Sequence, residues 1–446
     1  MKGPVISSFF LGITFITLFT MKAGSQQPIK KYEQEWKKAE DFAKKGLPQS
    51  ALAEVKKIYT LAKKEKQEAQ VIKSLVYMTS LQSDTREDND ILAIKEIEKE
   101  ISSSQQPASS ILNSLLAGMY WNYYNNNRWQ LYSRTETVNF KKEDLATWST
   151  EDFHKKISDL YLLSIKEEKL LQATKPASFD AIIIKGNMRH LRPSLYDLLA
   201  NRAINYFKND ERDIKKPAYA FEIDQAAAFD PAADFIHRKF PTKDSLSLQH
   251  KALLIYQNLV AFHVNDAKPD ALIDADIQRI TFVKNKSTHP DKDQLYFNAI
   301  NHIAHQYENT PAAAQAWYLV ANYYEQKAAT YSPYGDTTYR FARLKVRDIC
   351  EKVLTQKDSS EGRINCYNLL KQINRRSLQF STEKVNIPDQ PFRTLVSYRN
   401  FSQLYLRLIK PDEKLKKELE NQYDEKYWLL LFRQSRSKPG NRLYRL

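Results

Sequence analysis

The chain has 446 residues, 42% of them hydrophobic, enough for roughly two or three domains with ample apolar surface for a core. Only nine are glycine; nucleotide-binding loops and hairpin-rich sandwiches consume glycine and helical arrays do not, so composition leans toward a mainly α fold. The formal charge of +15 comes from lysines scattered along helix faces, with runs such as KKYEQEWKKAE alternating in sign, which describes a solvated basic surface rather than a nucleic-acid-binding stripe.

The first residues, MKGPVISSFFLGITFITLFTMKAGSQQ, combine Lys2, an apolar run from Val5 to Thr20 and small residues from Ala23 to Ser25. This pattern predicts a secretory signal over residues 1–25 and export to the periplasm or cell surface. The run is shorter than the roughly 20 residues a bilayer-spanning helix needs, so an uncleaved anchor is the weaker alternative. No cysteine follows it to be acylated, and no later stretch is long and apolar enough to span a membrane. Removing Lys2 and Lys22 leaves a formal charge of +13.

From residue 26 the periodicity is helical. Helices are expected through Lys45, from Pro48 to about Gln67, and beyond it, with Gly46 ending the first and Pro48 with Ser50 opening the second. Others follow near 90–103, 108–127, 150–173, 193–208 and 248–264. The stretch 209–247 reads as an irregular loop with a possible extended piece at KKPAYAFEID.

AWYLVANYYEQ, residues 316–326, carries Trp317, Val320, Ala321 and Tyr324 at the spacing of the first helix of a tetratricopeptide repeat. Upstream, Ala299, Ile303 and Pro311 match the second-helix pattern, and a 34-residue period from Ala299 places a Trp at 317. Ala342, Val346 and Ile349 are spaced like Ala51, Val55 and Ile58. Either these are repeats, or an ordinary amphipathic bundle produces the coincidences. Residues 26–376 are thus read as a tetratricopeptide-like α-solenoid or helical array.

Cys350 and Cys366 flank the turn TQKDSS at similar distances. In an antiparallel helix pair they fall at similar heights, so they either form a disulfide or remain two buried thiols. After Arg376 the period becomes two: Leu378 and Phe380, Val385 and Ile387, Thr394, Val396 and Tyr398, then Leu404, Leu406 and Leu408. Half-buried strands are expected there, broken by Pro388 and Pro391, followed by a helix from 411 that turns extended at YWLLLF. Residues 377–446 thus read as a partial β domain.

No catalytic constellation emerges. The chain lacks G-x-x-x-x-G-K-[ST], G-x-G-x-x-G and G-x-S-x-G. His302 and His305 lie three apart on one helix, but no H-E-x-x-H completes a metal site. The rings of YWNYY and WYLVANYYEQ recur at core spacing, with sugar stacking as the alternative. No catalytic, cofactor-binding or metal residue is assigned, and a non-enzymatic role is expected.

Trp36 with Ala39, GLPQSALAEVKKIYTLAKKE from Gly46, IKSLVYM from Ile72, RPSLYDLLANRAINYF from Arg192 and VNIPDQPFRTLVSYRNFSQLYLRLIK from Val385 together resemble the N-terminal region of bacterial alpha-2-macroglobulin family proteins. The resemblance implies a signal peptide, a helical repeat region and then the start of the first macroglobulin β-sandwich, with the chain cut short inside it. The family's protease trapping uses a bait segment and, in many members, a C-x-E-Q thioester. Cys350 begins CEKV and Cys366 begins CYNL, so no functional residue carries over. Two functions follow as expectations: an interaction module belonging to a protease-inhibiting macroglobulin, or a free-standing periplasmic scaffold binding a peptide, an envelope protein or a glycan-uptake partner. Either has a protein partner, a protease or an envelope protein, and no nucleic acid.

Overall fold

The computed structural model describes residues 27–83, 85–131, 144–210, 217–383, 385–387, 390–408, 413, 417 and 442–445. The expected signal segment, the helix from 411 and YWLLLF lie outside these residues or almost entirely so. Helices follow one another as α1 (Gln27–Lys44), α2 (Pro48–Lys64), α3 (Glu68–Gln82), α4 (Asn89–Ser103), α5 (Ala108–Leu131), α6 (Thr150–Ser164), α7 (Glu168–Ala173), α8 (Leu195–Phe207), α9 (Ala232–Phe235), α10 (Leu248–His263), α11 (Asp270–Lys286), α12 (Lys292–Gln306), α13 (Ala313–Ala328), α14 (Ala342–Leu354) and α15 (Glu361–Ile373). Among the described residues four strands come last: β1 (Ser377–Thr382), β2 (Thr394–Arg399), β3 (Tyr405–Leu408) and β4 (Arg442–Arg445). The fold is a helical array with a short β segment. Helix gives way to strand after Arg376, while two compact units divide inside α13, between Val320 and Ala321.

In the first unit most helices pack on their sequence neighbours, from α1 on α2 through α11 on α12, while α8 packs chiefly on α10. Ala51, Leu52, Val55, Ile58 and Ala62 make the buried stripe of α2, and its 3.6-residue spacing is what forces the helix to lie on others. Gly46, at φ +70, ends α1 in a left-handed turn; the Leu47 N–H returns to Phe42 O at 3.0 Å, capping carbonyls the helix leaves open. Lys63 Nζ and Tyr59 Oη of α2 both donate to the buried Glu100 of α4, at 2.7 and 2.6 Å.

α6 and α8 open in capping boxes. Ser149 and Asp152, then Ser194 and Asp197, satisfy each other's backbone N–H groups. The helix expected over 150–173 is broken: α6 stops at Ser164, Ile165 is buried as its cap, and α7 is a separate six-residue helix. α11, which periodicity leaves unassigned, is buried nearly all round, from Ala271 to Val283. The segment 217–247 is largely irregular, with the short α9 and one parallel bridge from Ile223 to Ser287.

In the second unit α14 packs on α15. β1 pairs antiparallel with β2, and β3 with β4. Val385 and Ile387 are not in a strand: Thr382 pairs with Thr394, so residues 383–393 form the connection. The tail NRLYRL, which carried no expected element, supplies β4, whose Tyr444 pairs with Leu406.

Candidate docking surface

The ribbon of β1 and β2 is exposed along nearly its whole length. Its register sets Leu378 opposite Tyr398, Phe380 opposite Val396 and Thr382 opposite Thr394. Because side chains alternate, these six share one face, while Ser377, Gln379, Ser381, Ser397 and Arg399 share the other with Leu395. The ribbon is thus apolar on one side and mainly polar on the other, the pattern of a sheet with one face meant for burial. That face is open: Leu378, Phe380 and Tyr398 are exposed, Tyr398 by 61%. The connection adds Val385 and Ile387, 88% and 72% exposed, and Phe392. An isolated two-stranded ribbon is marginal in water.

The ribbon is rooted on α15. Asn400, left-handed at φ +59, turns its side-chain amide back onto the end of that helix. Its Nδ2 donates to Ile373 O at 2.7 Å and Arg375 O at 2.9 Å, satisfying C-terminal carbonyls the helix cannot. Arg375, Arg376 and Arg393 are exposed around the ribbon. From Ala321 onward the sequence holds 25 Lys and Arg against 14 Asp and Glu, net +11 of the chain's +15, so the basic charge is concentrated in the part that carries the ribbon.

The repeat residues fall in two kinds of place. Ile303, Trp317, Val320 and Ala321 are buried, and the Trp317 ring meets His305 edge-on at 4.7 Å. Ala299 is half-buried, with Ala304 the fully buried small residue of α12, and Pro311 is exposed in the turn before α13. Tyr324 is half-buried under Lys345, whose Nζ sits 5.0 Å from the ring centre. His305 Nδ1 bonds Asn301 O at 2.8 Å, within its own helix, and His302 is exposed. The YWNYY rings pack inward: Trp121 lies 5.3 Å from Tyr206 and 5.8 Å from His154, and Tyr124 is fully buried.

Cys350 and Cys366 are both fully buried free thiols, one on α14 and one on α15, two helices that pack together. Hydrogen bonding to Cys350 and burial push the Cys366 thiol up, whereas hydrogen bonding to Cys366 holds Cys350 below the ordinary thiol value.

Two buried polar clusters escape a sequence reading because their members lie far apart in the chain. His263, 1% exposed, is held by Asp197 Oδ1 on Nε2 and Asp266 Oδ2 on Nδ1, each at 2.7 Å. Burial pulls its pKa down, but the bonds and charges of Asp197 and then Asp266 outweigh it, and the net direction is up. Both ring nitrogens are committed to carboxylates, so this cluster staples α8 to α10 and leaves no nitrogen for a substrate. Arg279, fully buried, bonds Asp276 Oδ1, Ala228 O and Asp230 O at 2.7–2.8 Å and stacks 4.1 Å from the Phe235 ring. The capping boxes were readable as S-x-x-D; the partners His263 and Arg279 were not.

No family model and no curated protein matches the chain.

Proposed function

We propose that the chain is an exported, non-catalytic interaction module: a helical scaffold that presents the β1–β2 ribbon to a protein partner, as the N-terminal part of an alpha-2-macroglobulin-like protease inhibitor. The observation that carries this reading is the open apolar face of Leu378, Phe380, Val396 and Tyr398, at the point where the helical array gives way to strands. A ribbon polar on one side and apolar on the other is half of a sandwich layer, completed when further strands cover it. The trapping chemistry is not carried by these residues, so the chain alone neither traps nor inhibits.

The second reading, a free-standing periplasmic tetratricopeptide-like scaffold, is favoured by the 34-residue phase linking Trp36 to Gln70 in α1 and α3. Two measurements separate the readings. Sequencing the locus beyond the last codon finds a frame encoding more β domains under the first and an unrelated gene under the second. Cell fractionation with N-terminal sequencing finds the mature chain outside the cytoplasm, beginning near Gln26, under both; a cytoplasmic chain retaining Met1 contradicts them.

A further inference from the structure

We propose that Cys350 and Cys366 form a site of reversible covalent closure, an intramolecular disulfide that locks α14 to α15. Three observations converge. Both thiols are fully buried on two helices that pack on one another, Cys350 near the end of α14 and Cys366 near the start of α15, so the pair is enclosed together at one end of the helical hairpin. The turn between them is pinned independently, by the Ser360 cap on the Arg363 N–H and by Arg363 Nε donating to Gln356 O at 2.7 Å. The locked helix is the one whose C-terminal carbonyls Asn400 holds, so the crosslink fixes the base from which β1 departs.

The co-reactant is a disulfide, whether a small one or that of an oxidoreductase. Cys350, the thiol more easily ionised, attacks one of its sulfurs and expels the other as a thiolate. The Cys366 sulfur then displaces the bound sulfur from Cys350. One S–S bond forms in the protein and one breaks in the oxidant; the two thiol protons and two electrons leave with the oxidant, now a dithiol or two thiols. Both cysteines are fully buried, so exchange proceeds through opening of the α14–α15 pair, and the closed bond is shielded from reductants in the same way. The chemistry itself does not depend on the proposed function; export only supplies an oxidising compartment.

The test equilibrates purified chain with oxidised glutathione in enough urea to open the helix pair, removes both, and alkylates under denaturing conditions without reductant. The expected result is no alkylated cysteine, a peptide joining Cys350 to Cys366, and an oxidised form whose local unfolding equilibrium is suppressed roughly a hundredfold relative to the reduced form, the effect of closing a loop of about 15 residues. A Cys350→Ala, Cys366→Ala variant should behave as the reduced protein and ignore the oxidant. Two free thiols, mixed disulfides with glutathione, links only between chains, or an oxidant response in the double variant would each overturn the proposal.

Discussion

Trp36 and Gln70, 34 residues apart, are joined directly: the indole Nε1–H donates to the Gln70 side-chain oxygen at 2.7 Å. Lys73 lies over the same indole, 4.1 Å from its centre, and Tyr77 is tilted against it at 4.8 Å. Tyr32 donates to Glu65, 33 residues on, at 2.7 Å. The separation equals one helix pair, so α1 meets the helix that starts the next pair.

Removing that ring should therefore loosen the start of the array rather than α1 alone. Trp36→Ala is expected to cost about 3–5 kcal/mol for a large buried aromatic, and Trp36→Phe, which keeps most of the ring but strands Gln70, about 1 kcal/mol. Urea unfolding with a Trp36→Phe, Gln70→Leu double variant checks the second figure: the double variant should recover part of the loss, since neither partner is then left unsatisfied.

Arg279 supports the irregular segment that runs beneath α11. Its guanidinium is the common acceptor-seeker for Ala228 O, Asp230 O and Asp276. Arg279→Met leaves the buried Asp276 carboxylate unpaired and should destabilise by about 3–5 kcal/mol, while Arg279→Met with Asp276→Leu should be milder than the single change. Thermal unfolding of both variants measures the difference.

The His263 staple makes a pH prediction with a definite sign. Its folded pKa is raised above the ordinary imidazole value of 6.5, so its contribution is fully present below pH 6.5 and is lost as pH rises through the folded value. The groups facing it are Asp197 from α8 and Asp266 beyond α10, the former also accepting from Ser194 N and Oγ. The stability gap between wild type and His263→Gln should be widest near pH 6 and shrink on the alkaline side. A gap that is constant or widens with pH would contradict the assignment of charge to the imidazole.

Much of the array was legible because its helices bury one stripe and solvate the other. α2 is the clear case: Ala51, Leu52, Val55, Ile58 and Ala62 mark its face, and Gly46 and Pro48 mark its start. α11 was not, because Asp276 and Arg279 are buried with its apolar residues and no polar stripe remains to set a phase. Alternation misled at Val385 and Ile387 because a strand needs a partner as well as a period, and the Thr382 to Thr394 pairing leaves those residues in the connection. The ribbon's two faces could be read from Leu378, Phe380, Val396 and Tyr398, but its root could not: Asn400 acts through a left-handed backbone and carbonyls 25 and 27 residues back. Likewise, His263 is joined to Asp197 across 66 residues, a distance at which no local pattern operates.

The central claim is that the apolar face of the ribbon is covered by a protein partner in the assembled state. Thiol labelling tests it most directly, with Tyr398→Cys reporting the apolar face and Ser397→Cys the polar one, each in a Cys350→Ala, Cys366→Ala background. In the purified chain both positions should label at similar rates. In intact cells that make the protein, position 398 should be protected at least tenfold while position 397 still labels. Equal labelling of the two positions in cells would contradict the account.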